Sequence, residues 1–187
     1  SSERAYFAGT NRNKRSITLN LSDPEGQALA RRMIAQCDVL VENFKTGTLA
    51  KYGLGFDDLH GEFPRLIYCS ITGFGQTGPY ANRPGYDALI QAMGGVMSLT
   101  GEPDRPPSRV GVSLIDLGTG MWAAIAIVSA LFRRTVTGEG AVVDVSLLET
   151  SIGWLTLALG EYGATGAAPR RNGLKGPIVA PNNGFES

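Results

Sequence analysis

Short apolar runs that fit a strand alternate along this chain with longer segments that fit a helix, and this alternation narrows the fold most. The strand-like runs are Ser16–Leu21 (SITLNL), Asp38–Phe44 (DVLVENF), Arg65–Thr72 (RLIYCSIT) and Ala141–Leu147. After the first, Ser22-Asp23-Pro24-Glu25 offers two overlapping helix starts, a Ser-x-x-Glu capping box and an Asp before a first-turn proline. Leu29, Met33, Ile34 and Cys37 then supply an apolar helix face. Short helices are predicted around Thr48–Tyr52, closed by Gly53, and from Asp57; longer ones over Tyr86–Met93, Asp116–Arg134 and Leu148–Tyr162. Gly73–Gly85 and Pro103–Pro107 read as loops. A chain of 187 residues in this order implies an α/β fold with mainly parallel strands.

Composition removes several function classes. Lys+Arg and Asp+Glu balance at 17 each, so no net charge draws the chain to nucleic acid or an anionic membrane. The apolar run MWAAIAIVSALF (Met121–Phe132) stops at Arg133-Arg134 and reads as a buried helix, with no membrane partner expected. Cys37 and Cys69 have neither metal nor disulfide spacing and are expected as reduced core thiols of a cytoplasmic protein. His60, the only histidine, is expected to face solvent; with one His there is no metal cluster.

GFGQTG (Gly73–Gly78) fits G-x-G-x-x-G after a strand, but Pro79-Tyr80-Ala81-Asn82-Arg83-Pro84 follows it where a dinucleotide site needs a helix start. The glycines are therefore expected to turn the chain or let backbone approach a ligand.

One residue carries charge in GVSLIDLGTGMW (Gly111–Trp122): Asp116. Two compatible readings exist. Asp is a favoured N-cap, and a helix is predicted from Leu117. A carboxylate at a helix N-terminus is also held ionised by the dipole, and Gly118 and Gly120 would leave space beside it for a substrate, which suits covalent catalysis.

NRNKRSITLNL, CDVLVENF, LIYCSITGFGQTGPY, RPGYDALIQAMGG, VGVSLIDLGTGMW and GEGAVVDVSLLET occur in an order and at spacings that resemble the family III CoA-transferases (CaiB/BaiF type). GLKGPIVAPNNGF is similar to a divergent form of a further segment of that family. The resemblance covers residues 1–187. It implies an α/β, Rossmann-like parallel-sheet core, the central part of the large domain, truncated at both ends, with the first βαβ unit and the C-terminal portion lying outside.

By this resemblance Asp116 is the nucleophile, forming an aspartyl-CoA thioester while CoA moves from a donor acyl-CoA, succinyl-CoA for example, to a carboxylic acid. No cofactor beyond CoA as co-substrate, and no metal, is implied. Asp87 falls near the active centre, either hydrogen-bonding there or capping the helix that follows. Asn13, Lys14, Arg15, Asn43, Phe44, Lys51 and Tyr86 fall at the CoA site, with Phe44 against the adenine. Lys14-Arg15 also reads as a solvated basic pair ahead of a strand, and Lys51 stands where the family often has Arg. The resemblance further implies an interlocked homodimer. The same fold hosts a 2-methylacyl-CoA racemase branch whose histidine falls at Tyr86, which favours transfer. A non-catalytic CoA-binding homologue is the other alternative.

Overall fold

The structure is a computed structural model and describes residues 2–175. Its centre is a parallel three-stranded sheet in the order β1 (Val39–Glu42), β2 (Ile67–Thr72), β3 (Ala141–Ser146). Registers Val39↔Ile67↔Ala141 and Glu42↔Ser70↔Asp144 bring the carboxyl ends of all three strands to one side. Helices α1 (Ser2–Thr10), α2 (Pro24–Ile34) and α3 (Phe56–His60) come before β2; α4 (Asp87–Met93), α5 (Val96–Leu99) and α6 (Leu114–Thr137) connect β2 to β3; α7 (Leu147–Trp154) and α8 (Thr156–Thr165) follow.

β2 is the central strand, and both its faces are covered. Tyr68 joins Ala30, Ile34, Leu54 and Leu59 in a cluster under α2 and α3. Ile67 and Cys69, on the other face, meet Ala123 and Ala130 of α6 and Val143 of β3. A third cluster, Ile90, Val96, Ile115 and Leu147, ties α4 and α5 to the start of α6 and to α7. Two-sided burial explains the near-continuous apolar run IYCSI.

The prediction of α/β architecture with parallel strands holds, with local corrections. Ser16–Leu21 forms no strand. Its alternation places Leu19 and Leu21 over the α2–α3 cluster, but among the described residues no neighbouring backbone pairs with it in a ladder. A period of two reports one-sided burial, which a covering segment also shows. Asp23 caps α2, its Oδ1 accepting from Glu25 N (2.9 Å) with Pro24 at the first helical position, so the Asp-Pro start prevails over the capping box. Of the predicted α2 face only Ile34 is buried; Leu29, Met33 and Cys37 are exposed, and Ala30 does the packing instead. Cys37 is therefore no core thiol. Thr48–Tyr52 shrinks to a 3-10 turn over Ala50–Tyr52 that ends, as expected, on Gly53 in a left-handed conformation (φ 65°). The last predicted helix breaks at Leu155, whose side chain turns in against the Ile90–Val96 cluster. α1 and α5 were not anticipated from the sequence.

α6 is 24 residues long, extends three residues beyond Arg134, and by length and composition is apolar enough to cross a membrane. One face, including Ile115, Thr119, Ala123 and Ala130, is buried within the domain. The other exposes Leu117, Met121, Ile125, Val128, Phe132 and Val136 in one stripe. The segment resembling the family past Lys175 lies outside the described residues.

Candidate active site

The carboxyl ends of parallel strands are where α/β folds build sites, because the connecting loops diverge there. Three features position the loops at this end. Glu42, at the end of β1, accepts from the Ser70 hydroxyl through Oε1 and from Phe44 N through Oε2 (2.8 Å), which fixes the Asn43–Phe44 turn. Gln76 donates its side-chain amide to Ser70 Oγ and its backbone N–H to Asp144 (3.2 Å), tying the next loop to β2 and β3. Gly73 and Gly85 then close that loop backbone to backbone; a Cβ on Gly73 would sit 2.6 Å from the Gly85 Cα. Gly75 and Gly78 take φ of 90° and 94°, open only to glycine at little cost. The glycines of GFGQTG thus turn and pin a loop, and a turn rather than a helix follows Gly78.

Between these loops and α6 lies an open cavity of ≈ 710 Å³, within the size range of small-molecule sites. Asn43 and Phe44 line one part, Tyr86 another, and Asp116 with Gly120 the α6 wall. Among the described residues, Asp116 is the only carboxylate in the lining, which also holds two cations, Lys45 and Arg83, that sequence reasoning passed over. Both stand beside recognised residues, Lys45 after Phe44 and Arg83 in RPGYD, but sequence proximity alone gave no sign that they face the same space.

Asp116 is not the N-cap. α6 begins at Leu114 after Ser113, whose side chain makes no capping bond, and Asp116 is the third helical residue. The capping is done from another helix. Asp87, the first residue of α4 and buried, accepts from Ile115 N (2.8 Å) and Asp116 N (3.3 Å) through Oδ2, and from Gln91 Nε2 (2.6 Å) through Oδ1. These are the two amides that an N-cap side chain ordinarily serves. Asp87 therefore caps neither its own helix nor lines the cavity; it stands behind Asp116 and holds the start of α6.

Among the described residues, the Asp116 carboxylate makes no hydrogen bond. Desolvation raises its pKa, and the nearby Asp87 carboxylate raises it further. The helix start therefore does not serve this carboxylate with its first-turn amides, since Asp87 takes them. Gly118 is also corrected. It is buried against α7, where a Cβ would lie 2.9 Å from the Trp154 ring, whereas a Cβ on Gly120 would meet nothing within 4 Å. Only Gly120 leaves room beside Asp116.

The structure brings together Asn43, Phe44, Tyr86 and Asp116, with Asp87 directly behind. Asn13, Lys14, Arg15 and Lys51 are exposed and line no part of this cavity; Asn13 sits in a left-handed turn (φ 63°) after α1. His60, at the exposed end of α3, stacks on Phe56 (4.9 Å) and is likewise outside the cavity. The described residues contain no cluster of His, Cys, Asp and Glu suited to a metal ion.

Comparison with known proteins identifies the family. The chain is 48% identical over 177 residues to the succinate–glutarate CoA-transferase of Agrobacterium fabrum, covering 95% of this chain and 44% of that protein. It is 46% identical over 183 residues to the acetyl-CoA:oxalate CoA-transferase of Acetobacter aceti, covering 97% and 47%. A crystal structure of a CaiB/BaiF family protein from Brucella suis superposes with a TM-score of 0.90 at 51% identity, over 96% of this chain and 47% of that one. The chain thus spans about half the length of the relatives it matches. The family model described as CoA-transferase family III matches residues 1–187, and the chain belongs to that family.

Proposed function

We propose that the protein is an acyl-CoA:carboxylate CoA-transferase with Asp116 as its nucleophile, acting on small dicarboxylic acids such as those named for its relatives. The observation that carries this reading is that, among the described residues, the cavity beyond the strand ends holds a single carboxylate, free of internal hydrogen bonds because Asp87 caps its helix. A carboxylate of raised proton affinity with no internal hydrogen bond has lone pairs available for an acyl carbon.

The steps balance without an external proton or electron. The Asp116 carboxylate attacks the thioester carbonyl, giving a mixed anhydride and expelling CoA thiolate. The thiolate attacks the aspartyl carbonyl, releasing the donor acid and leaving an aspartyl-CoA thioester. An acceptor carboxylate attacks that thioester, and the thiolate returns to the acceptor's acyl carbon. Gly120 leaves room for these tetrahedral centres, and Asp87 keeps the α6 terminus fixed while charge leaves and returns to Asp116. Phe44 lines the same cavity as Asp116, so with Asn43 and Tyr86 it is assigned to the CoA end of the thioester in place of the adenine contact expected from the sequence. Asn13, Lys14, Arg15 and Lys51 are assigned to more distant parts of CoA on the resemblance alone. CoA is a substrate here, and the reading needs no metal or further cofactor.

Tyr86 lines the cavity where the racemase branch has histidine, and His60 is outside it, so transfer is favoured over racemisation. The exposed apolar stripe on α6 supports a homodimeric full-length protein, tested by light scattering at micromolar concentration; a monomer there would refute it. The two unpaired cysteines accord with a cytoplasmic location, to be checked by fractionation.

To test the function, the full-length protein is incubated with succinyl-CoA and hydroxylamine, and adducts are mapped by mass spectrometry. A trapped adduct on Asp116, absent from Asp116→Ala together with all transfer, is the expected result. Transfer that persists in Asp116→Ala would exclude the mechanism.

A further inference from the structure

Arg83 belongs to no ion pair and donates no side-chain hydrogen bond among the described residues, yet it lines the same cavity as Asp116. Its guanidinium lies over the Tyr80 ring (4.4 Å), and Tyr80 meets Phe74 edge-on (5.4 Å, 62°). The loop carrying it is anchored at both ends. Thr46 Oγ1 donates to Ala81 O (2.9 Å), Arg83 N closes a turn on Tyr80 O (2.8 Å), and Gly85 abuts Gly73. A stacked, pre-oriented guanidinium with its donor edge free is suited to a planar anion with two oxygens, where a lysine gives only a point charge.

Building on the transferase reading, we propose that Arg83 determines donor and acceptor selectivity by binding the distal carboxylate of a dicarboxylic acyl group whose other end reacts at Asp116. Position carries the choice of anion. The reacting carbonyl must be at Asp116, and Arg83 lines the same cavity. The nucleotide phosphates are separated from the thioester by the pantetheine arm, so an anion sharing this cavity with the nucleophile belongs to the acyl group.

The test compares kcat/KM for succinyl-CoA and butyryl-CoA, which differ in the terminal carboxylate, in the full-length protein and in Arg83→Met and Arg83→Lys. Methionine retains contact with Tyr80 and loses the charge. Binding of CoA alone, by calorimetry, controls for folding. Arg83→Met should lower the succinyl-CoA value roughly 10- to 100-fold, the butyryl-CoA value far less, and CoA affinity hardly at all. Arg83→Lys should recover only part of the loss. Equal losses on both donors with weaker CoA binding would assign Arg83 to a CoA phosphate and overturn the proposal. An unchanged donor ratio, or a parent protein without preference for succinyl-CoA, would overturn it too. Transfer surviving Asp116→Ala is a separate result, one that removes the transferase mechanism and this inference with it.

Discussion

Asp87→Asn separates the structural and electrostatic roles of one buried carboxylate. Asp87 receives three donors: Ile115 N, Asp116 N and Gln91 Nε2. Asparagine keeps one acceptor oxygen and turns the other position into a donor. Gln91 cannot accommodate it by flipping, because its Oε1 already accepts from Val110 N (2.9 Å) and the side chain is completely buried. One donor is therefore orphaned, at about 1–3 kcal/mol, and the remaining bonds lose their charge assistance; together the cost is roughly 2–4 kcal/mol. Hydrogen exchange in the full-length protein should show it locally, as lost protection of the Ile115 and Asp116 amides. The electrostatic effect has its own sign. Burial and Asp87 raise the pKa of Asp116, so its carboxylate ionises at higher pH than a free one, and native stability from this group falls as pH rises through that raised value. Transfer needs the ionised form, so kcat/KM rises across the same range. Removing the Asp87 charge should move this acid limb to lower pH. Unchanged protection at Ile115, or a limb that stays or moves upward, would refute the arrangement.

The two α6 glycines should respond in opposite ways. Gly118→Ala places a methyl against Trp154 and Thr150 and should destabilise by about 1–3 kcal/mol in urea titration. Gly120→Ala meets open space and should stabilise the helix by about 0.5–1 kcal/mol while lowering kcat/KM, because the methyl enters the cavity. Equal effects on stability would contradict the packing described for α6 and α7. The thiols should differ as well. Burial pushes the Cys69 pKa up to about 11, with Glu42 and Asp144 adding to it, whereas Cys37 is exposed. Iodoacetamide at neutral pH should label Cys37 and spare Cys69 in the native protein, as read by peptide mapping.

The sheet was legible because β2 is buried on both faces, and a continuous apolar run bounded by Gly and Pro has few other uses. Ser16–Leu21 misled for a related reason. Its Leu19 and Leu21 do face the core, and nothing local in the sequence distinguishes a strand from a segment lying across a helix. The site divided along the same line. Asp116 was visible as the one charge in an apolar stretch, and Asn43, Phe44 and Tyr86 by resemblance. The capping of α6 by Asp87 joins residues 28 apart in sequence, and the position of Arg83 in the cavity depends on how a glycine-pinned loop folds back. Neither relation has a local signature.

The distance between Asp87 and Asp116 in the chain also explains how a helix start can hold a nucleophile. Had Asp116 been the N-cap, its oxygens would accept from the first-turn amides, lowering its pKa and occupying the lone pairs that must attack. Placing it at the third helical position and recruiting Asp87 from α4 keeps the amides satisfied and the helix anchored. The same pairing sets a second carboxylate nearby, which raises the proton affinity of the first rather than lowering it. A serine in place of Asp87 could still accept from these amides but would lack that charge. An acidic residue is thus the choice that serves both needs, and Asp87→Ser should retain more of the α6 protection than of the raised acid limb.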